Sequence, residues 1–218
     1  MNFIFTEEQI QFKDAIKSFL TEECTPLSIR DGWQAKKSFN LDRWKNLIEL
    51  GVLNSNLPQN KGGLGMGQVT LALMVEEMGY AGLPEPVAEQ IFLVNDVIPF
   101  LPKNITEAIE SNYNDGSQYI ALAHPLAPNP LFLNNSVGLI LLDNSECKFI
   151  AKDDMDFEMI SSNDPSRELF RINSINNAIC TSENFDEINS AVSARGALMT
   201  AALLIGLAQK MIDLSSVY

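Results

Sequence analysis

The spacing of apolar residues changes twice along this chain, and the order of those changes limits the fold more than any other feature. Before about residue 113, apolar residues recur at helical spacing. Around Asn114-Asp115-Gly116 they give way to short apolar runs separated by turn residues, a pattern typical of strands. From Asp186 to Tyr218 the helical spacing returns. The chain therefore contains helices, then strands, then one helix.

This order predicts an α+β fold that is mostly α. We expect an N-terminal helical bundle over 1–113, a small antiparallel β domain over 114–185 and one long C-terminal helix over 186–218, the first helix of an incomplete C-terminal helical domain.

Turn and cap residues set the expected element boundaries. Thr6 with Gln9 forms a capping box for the first helix, which we expect Pro26 to stop. Further helices are predicted at 41–50, 67–78, 86–97 and 106–111, and strands at 119–123, 137–142, 147–150 and 169–172.

Charge and cysteine usage exclude several classes of partner. Fifteen basic and 28 acidic residues give a net charge of −13, which repels phosphate backbones and anionic lipids, so we expect no nucleic acid partner. The apolar run 196–208 is shorter than the roughly 20 residues that span a bilayer, so we expect no membrane insertion. Three scattered cysteines and no visible leader predict a reducing, cytoplasmic location.

Individual motifs indicate no reaction by themselves. Gly62-Gly63-Leu64-Gly65 lacks the lysine and hydroxyl residue of a phosphate loop, so a connection that needs positive φ is favoured. The acidic run 153–158 is interpreted as a solvated loop. His124 is the single histidine, and a lone histidine is more often structural than catalytic. No metal site is predicted.

Several segments, taken in order, resemble the acyl-CoA dehydrogenase family. They are Phe5-Thr6-Glu7-Glu8-Gln9, the stretch 44–53 with the glycine loop 61–65, Val75-Glu76-Glu77-Met78-Gly79, Pro84-Glu85-Pro86-Val87-Ala88-Glu89, Ser166-Arg167-Glu168-Leu169-Phe170-Arg171-Ile172, and 197–218. The resemblance implies an enzyme that binds FAD and an acyl-CoA thioester, in which a glutamate removes the α-proton while the β-hydride passes to the flavin.

The resemblance also locates a flavin-facing segment. Where the family has a Thr-Glu-Pro segment at the end of a strand, this chain has Ala123, His124 and Pro125, which become the candidate cofactor-binding residues. The family's flavin-contact motif and catalytic glutamate lie beyond the region that ends at Tyr218, so no catalytic residue is assigned. The resemblance suggests Glu89, Phe92 and Leu93, on the helix after Pro86, for the acyl pocket, although a role in the helical core is favoured for Phe92 and Leu93.

Two functions remain open at this stage. The chain is either a subunit or fragment of an FAD-dependent acyl-CoA dehydrogenase, which needs a partner chain or further C-terminal sequence, or a non-catalytic interaction or scaffold protein that keeps the fold. The small residues of the last helix let another helix approach closely, so we expect a homo- or hetero-oligomer formed through that helix.

Overall fold

The N-terminal helices follow the predicted order, with one addition. A computed structural model describes residues 4–35, 37–103, 105–107, 109, 119–143 and 145–217, except the side chain of Asp96. Its first four helices are α1 (Glu7–Glu23), α2 (Pro26–Ala35), α3 (Leu41–Glu49) and α4 (Gln68–Ala81). The capping box of α1 is present, with Thr6 Oγ1 accepting from the Gln9 backbone N–H at 3.2 Å. Pro26 ends α1 as expected, but it also begins α2, because proline is favoured at the first position of a helix.

The helix predicted at 86–97 forms with an irregular centre. It consists of α5 (Val87–Glu89), a π-helical segment (Gln90–Val94) and α6 (Asn95–Val97). Asn56 Nδ2 donates to the carbonyl oxygen of Ile91 at 2.7 Å inside the π-helical segment. Asn95 Nδ2 in turn donates to Asn56 Oδ1 at 2.8 Å. These bonds fix the wider turn against the loop that follows α3. The helix predicted at 106–111 includes residues outside the described part.

Among the described residues, the β strands form two sheets. The strands are β1 (Tyr119–Ala123), β2 (Ser136–Asp143), β3 (Glu146–Ala151), β4 (Met155–Ile160), β5 (Leu169–Ile175) and β6 (Ile179–Thr181). The first sheet has the order β1-β2-β3-β6, and β4 pairs with β5. The fold class is confirmed, but one pair differs from the expected antiparallel arrangement. β1 runs parallel to β2, and the loop after β1 provides the crossover that a parallel pair needs.

The acidic run at 153–158 is not the solvated loop that we expected. Asp153 and Asp154 lie in a short 3₁₀ turn, whereas Asp156 and Glu158 lie on β4. Glu158 pairs with Arg171 of β5 at 3.3 Å. The alternation in β4 was missed because Asp156 and Glu158 stand at exposed positions between its apolar residues, and only Met155 of the strand is buried. Among the described residues no group of acidic, histidine or cysteine side chains could hold a metal ion.

The last helix, α7 (Phe185–Ser216), packs closely against α4. A methyl group on Gly206 would lie 1.9 Å from the carbonyl oxygen of Glu76, and one on Gly79 would lie 2.3 Å from that of Leu203. The small residues Gly79 and Gly206 therefore serve an intramolecular contact between α4 and α7, so the close approach that we expected between chains occurs here within one chain. The opposite side of α7 exposes large apolar residues, including Leu204, Ile205, Met211 and Ile212.

By length and composition α7 could cross a membrane. The expectation of no membrane insertion considered only the shorter apolar run 196–208 within this helix. A core helix of a soluble protein meets the same two criteria. Buried Ile188, Val192, Met199, Ala202 and Gly206 hold α7 against the rest of the protein.

One core joins the helical and β regions. The ring of Phe39 lies 5.3 Å from that of Trp44, 6.0 Å from that of Tyr119 and 5.6 Å from that of Phe132, measured between centroids. Ser38 Oγ donates to the carbonyl oxygen of Pro165 at 2.9 Å beside this cluster. The start of β1 is therefore held against α3, and the orientation of β1 is fixed relative to the helices.

Candidate functional site

A large cavity lies between the helices and β1. Its volume is about 1110 Å³, at the upper end of what small-molecule sites usually occupy. α1, the C-terminal end of α4, β1 and α7 form its walls, which are largely apolar and include Leu20, Met78, Leu83, Ile120, Leu131 and Leu203. The cavity can hold an extended apolar ligand.

Two of the three predicted substrate-binding residues line this cavity. Glu89 and Leu93 contribute to its wall, whereas Phe92 does not and is completely buried in the core. The π-helical segment carries Phe92 and Leu93, and the Asn56–Ile91 hydrogen bond fixes their position. Burial therefore favours the core role for Phe92, while Glu89 and Leu93 stay candidates for ligand contact.

One wall of the cavity is polar. Arg167 Nη2 forms an ion pair and hydrogen bond with Glu89 Oε1. Tyr119, at the start of β1, lines the same cavity and is only 2% exposed. Burial raises the pKa of Tyr119 well above its usual range, and the charge of Glu89 raises it further while Arg167 opposes the shift. The Tyr119 hydroxyl therefore stays protonated and can donate a hydrogen bond.

A second ion pair lies behind this wall. Arg43 Nε is 3.3 Å from Glu85 Oε2, and both side chains are almost fully buried. Glu85 Oε1 also accepts from the Asn40 backbone N–H at 2.8 Å. Burial raises the pKa of Glu85, and the Arg43 guanidinium is the largest influence that opposes this rise. The pair locks α3 to the turn before α5, which holds Glu89 in place.

The predicted flavin-facing residues Ala123, His124 and Pro125 do not line the cavity, although Leu122 and Ala127 on either side of them do. Ala123 is fully buried, and Pro125 is exposed in the turn that follows β1. His124 Nδ1 accepts from the backbone N–H of Leu126 at 3.2 Å, so its Nε2 donates to Asn189 Oδ1 at 2.9 Å. The histidine thus joins the end of β1 to α7.

The backbone donors of this segment are also engaged. The N–H of His124 donates to the carbonyl oxygen of Ala127 at 3.1 Å, and the N–H of Ala127 donates to that of His124 at 2.7 Å. Pro125 has no N–H. Within 124–127, every backbone N–H therefore already has a partner inside the chain.

Tyr119 and Arg167 belong to the site but were not singled out from the sequence as ligand contacts. Arg167 is 78 residues from its partner Glu89, and sequence spacing carries no signal for such a contact. A tyrosine that begins an otherwise aliphatic strand was the one available hint.

Comparison with known proteins agrees with this architecture. Residues 6–100 match the family model described as the acyl-CoA dehydrogenase N-terminal domain. Acyl-CoA dehydrogenase FadE27 of Mycobacterium tuberculosis is 26% identical over 93 residues, which are 43% of this chain and 25% of that protein. The matched segment therefore spans about a quarter of this curated relative.

Solved structures extend the likeness beyond the N-terminal domain. The ChsE4–ChsE5 complex from Mycobacterium tuberculosis superposes with a TM-score of 0.81 at 13% identity, covering 100% of this chain and 68% of that one. An acyl-CoA dehydrogenase complexed with FAD from Bacillus anthracis gives a TM-score of 0.74 at 13% identity, covering 98% and 44%. At such identities these two structures show the fold.

The helical domain, mixed β region and α7, arranged around a ligand-sized cavity, have the fold of these solved structures. Over residues 6–100 the chain matches the acyl-CoA dehydrogenase N-terminal domain, and beyond that segment it shares the fold of these solved structures.

Proposed function

We propose that this chain is the acyl-CoA-binding subunit of a two-chain, FAD-dependent acyl-CoA dehydrogenase, an oxidoreductase that introduces an α,β double bond into an acyl thioester. The cavity of about 1110 Å³ carries the proposal, because its apolar walls suit an acyl group. Glu89 and Leu93 contact that group, and Phe92 supports the wall from the core.

The charges at the cavity support an anionic thioester. Lys17, Arg30 and Lys210 contribute to its lining in a chain whose net charge is −13. Lys17 and Arg30 are exposed, so they can meet the phosphates of coenzyme A without losing hydration. Local cations of this kind steer an anionic ligand towards a protein that would otherwise repel it.

The residues of this chain do not fit the flavin at the position that the family resemblance assigns. A flavin ring needs hydrogen-bond donors from the segment 123–127, but the His124 ring and the N–H groups of His124, Leu126 and Ala127 are engaged within the chain. The Ala123 side chain is a methyl group. We therefore derive no reaction step through the flavin here, and in the proposed assembly the partner chain holds FAD.

The heteromeric proposal draws on the ChsE4–ChsE5 complex, in which a chain of this fold is part of a complex of two named proteins. The exposed apolar side of α7, with Leu204, Ile205, Met211 and Ile212, is the surface through which this chain would contact its partner.

The three free cysteines of this chain are consistent with a cytoplasmic location.

A second candidate function is a non-catalytic interaction or scaffold protein that keeps the fold. The engaged donors of the segment 123–127 favour it, because a chain that no longer contacts flavin has no need to keep them free. The two candidates differ in whether the assembly reduces a flavin when an acyl-CoA thioester is added.

The test is to produce the chain alone and together with a second acyl-CoA dehydrogenase-like chain from the same genome. The dehydrogenase proposal expects lauroyl-CoA to bind by calorimetry and to bleach the flavin absorbance of the two-chain preparation. Binding of the thioester without bleaching in any two-chain preparation supports the non-catalytic candidate. Failure of every acyl-CoA thioester to bind would reject the acyl-binding role itself.

A further inference from the structure

Three buried polar atoms on the cavity's polar wall have no hydrogen-bond partner within the described part of the chain. They are the hydroxyl oxygen of Tyr119, Nε of Arg167 and Oε2 of Glu89. Leaving buried polar atoms unpaired costs free energy, so such atoms are uncommon in folded proteins. All three residues line the same cavity, which makes a ligand group the natural partner.

The surrounding contacts hold these atoms in place. The ion pair between Arg167 Nη2 and Glu89 Oε1 restrains both side chains. The Tyr119 ring packs against Phe39 and Trp44, with centroids 6.0 Å and 5.7 Å away. The free hydrogen-bonding positions are thus presented by side chains that are already restrained, and a ligand would lose little to ordering them.

The hydrogen-bonding roles identify the ligand group. Tyr119 O–H and Arg167 Nε–H are donors, whereas Glu89 Oε2 is an acceptor. A hydroxyl group accepts two hydrogen bonds and donates one, so it satisfies all three atoms. A ketone would leave Glu89 Oε2 without a donor.

Local charge excludes a carboxylate. Arg43 and Arg167 contribute two positive charges near the wall. Glu85 and Glu89 offset them, and the unpaired Oε2 of Glu89 would face a ligand carboxylate directly, which has no proton to donate to it. An anionic ligand group would be repelled there, whereas an uncharged hydroxyl would not.

The geometry points to an acyl thioester that carries a hydroxyl group on its acyl part, held by Tyr119, Arg167 and Glu89. This inference rests on the proposed function, since it assumes that the cavity binds an acyl-CoA. It adds the substrate class, because a plain fatty acyl chain would leave the polar wall unpaired.

The test compares three kinds of thioester of matched length, over a series of lengths: acyl-CoA, its terminally hydroxylated form and the CoA monothioester of the corresponding dicarboxylic acid. Titration calorimetry on the full chain should give the tightest binding for the hydroxylated form, by about tenfold over plain acyl-CoA. Tyr119→Phe should abolish that preference, because it removes one of the two donors to the ligand hydroxyl.

Tyr80→Phe is the matched control. Tyr80 lines the same cavity, but its hydroxyl already donates to Asp213 Oδ2 at 2.9 Å, so this variant should keep the preference for the hydroxylated ligand. Tyr119→Phe keeps the ring contacts and should fold, which circular dichroism and thermal melting would verify.

The outcomes separate this inference from the proposed function. If hydroxylated and plain thioesters bind equally at every length, the hydroxyl inference is overturned while the acyl-binding function stands. Tightest binding of the dicarboxylic form would also overturn it, because the charge argument would be wrong. If no thioester binds, the proposed function fails, and the inference fails with it.

Discussion

Gly206 of α7 lies so close to Glu76 of α4 that a methyl group on the glycine would stand 1.9 Å from the Glu76 carbonyl oxygen. This contact joins the last helix to the N-terminal domain, and α7 forms part of the cavity wall. Neither backbone can shift without moving a whole helix.

Gly206→Ala should therefore destabilise the protein by about 1–3 kcal/mol, the usual cost of overpacking a tight interior. Gly196→Ala is the matched control, because its new methyl group would meet only Leu93 Cδ2 at an ordinary 3.6 Å. Replacing a helical glycine by alanine there should be neutral or stabilising by up to about 1 kcal/mol. Urea unfolding measures both, and equal stabilities for the two variants would contradict the contact.

The buried pair Arg43–Glu85 should contribute far more to stability than an exposed pair of equal length. Arg43→Gln leaves the Glu85 carboxylate buried without its cation and should cost about 3–5 kcal/mol near neutral pH. Arg171→Gln is the control, since Arg171 and Glu158 are also 3.3 Å apart but more than half exposed. Arg171→Gln should lower the free energy of unfolding by less than about 1 kcal/mol in the same assay.

Acidification should reduce the cost of Arg43→Gln. The pKa of Glu85 is already raised by burial, and removing Arg43 takes away the charge that lowers it. A raised folded-state pKa favours the protonated form, so the variant should regain stability as the pH falls from about 7 to about 5. A cost that stays constant over this range would show that Glu85 is not the group left unpaired.

The hydrogen bond between His124 and Asn189 should couple the end of β1 to α7. His124→Ala removes the donor to Asn189 and the acceptor for Leu126, so we expect a loss of about 1–3 kcal/mol. A double-mutant cycle with Asn189→Ala should give a coupling of at least about 0.5 kcal/mol. Strictly additive losses would contradict the tether, and with it the view that the His124 ring is engaged.

The cysteines should differ sharply in reactivity. Cys180 is exposed, whereas Cys24 and Cys147 are buried. Burial raises the pKa of Cys147 to about 12 and also raises that of Cys24. A thiol reagent at about pH 8 should modify one cysteine quickly in the folded protein, because the two buried thiols stay protonated and inaccessible.

Cys180→Ser should remove this fast phase, and unfolding the wild-type protein should release two further thiols. For Cys147 the neutral form is the one that folding favours, so its contribution to stability is present below the usual thiol pKa of 9.0 and is lost as the pH rises towards 12. Rapid modification of Cys147 in the folded protein would contradict its burial.

The sequence was sufficient for features that depend on neighbouring residues. The capping box of Thr6 and Gln9, the glycines with positive φ at 62 and 65, and strand Tyr119–Ala123 all follow from local spacing and backbone preference. The ordered family segments extend this to the fold class, and residues 6–100 match the family's N-terminal domain. α2 and β4 were missed because a proline was interpreted only as a stop and an acidic strand only as a loop.

By itself, then, the sequence determined the order of helices and strands, the family match of the N-terminal domain and the candidacy of Glu89 and Leu93, which line the cavity. Tertiary structure alone decided which side of α7 is buried, that the His124 ring is engaged, and that Tyr119 and Arg167 complete a polar wall with Glu89. The physical reason is distance along the chain. Helical and strand periods are set by residues a few positions apart, whereas Arg167 meets Glu89 across 78 residues, and only packing of the shared core brings them together.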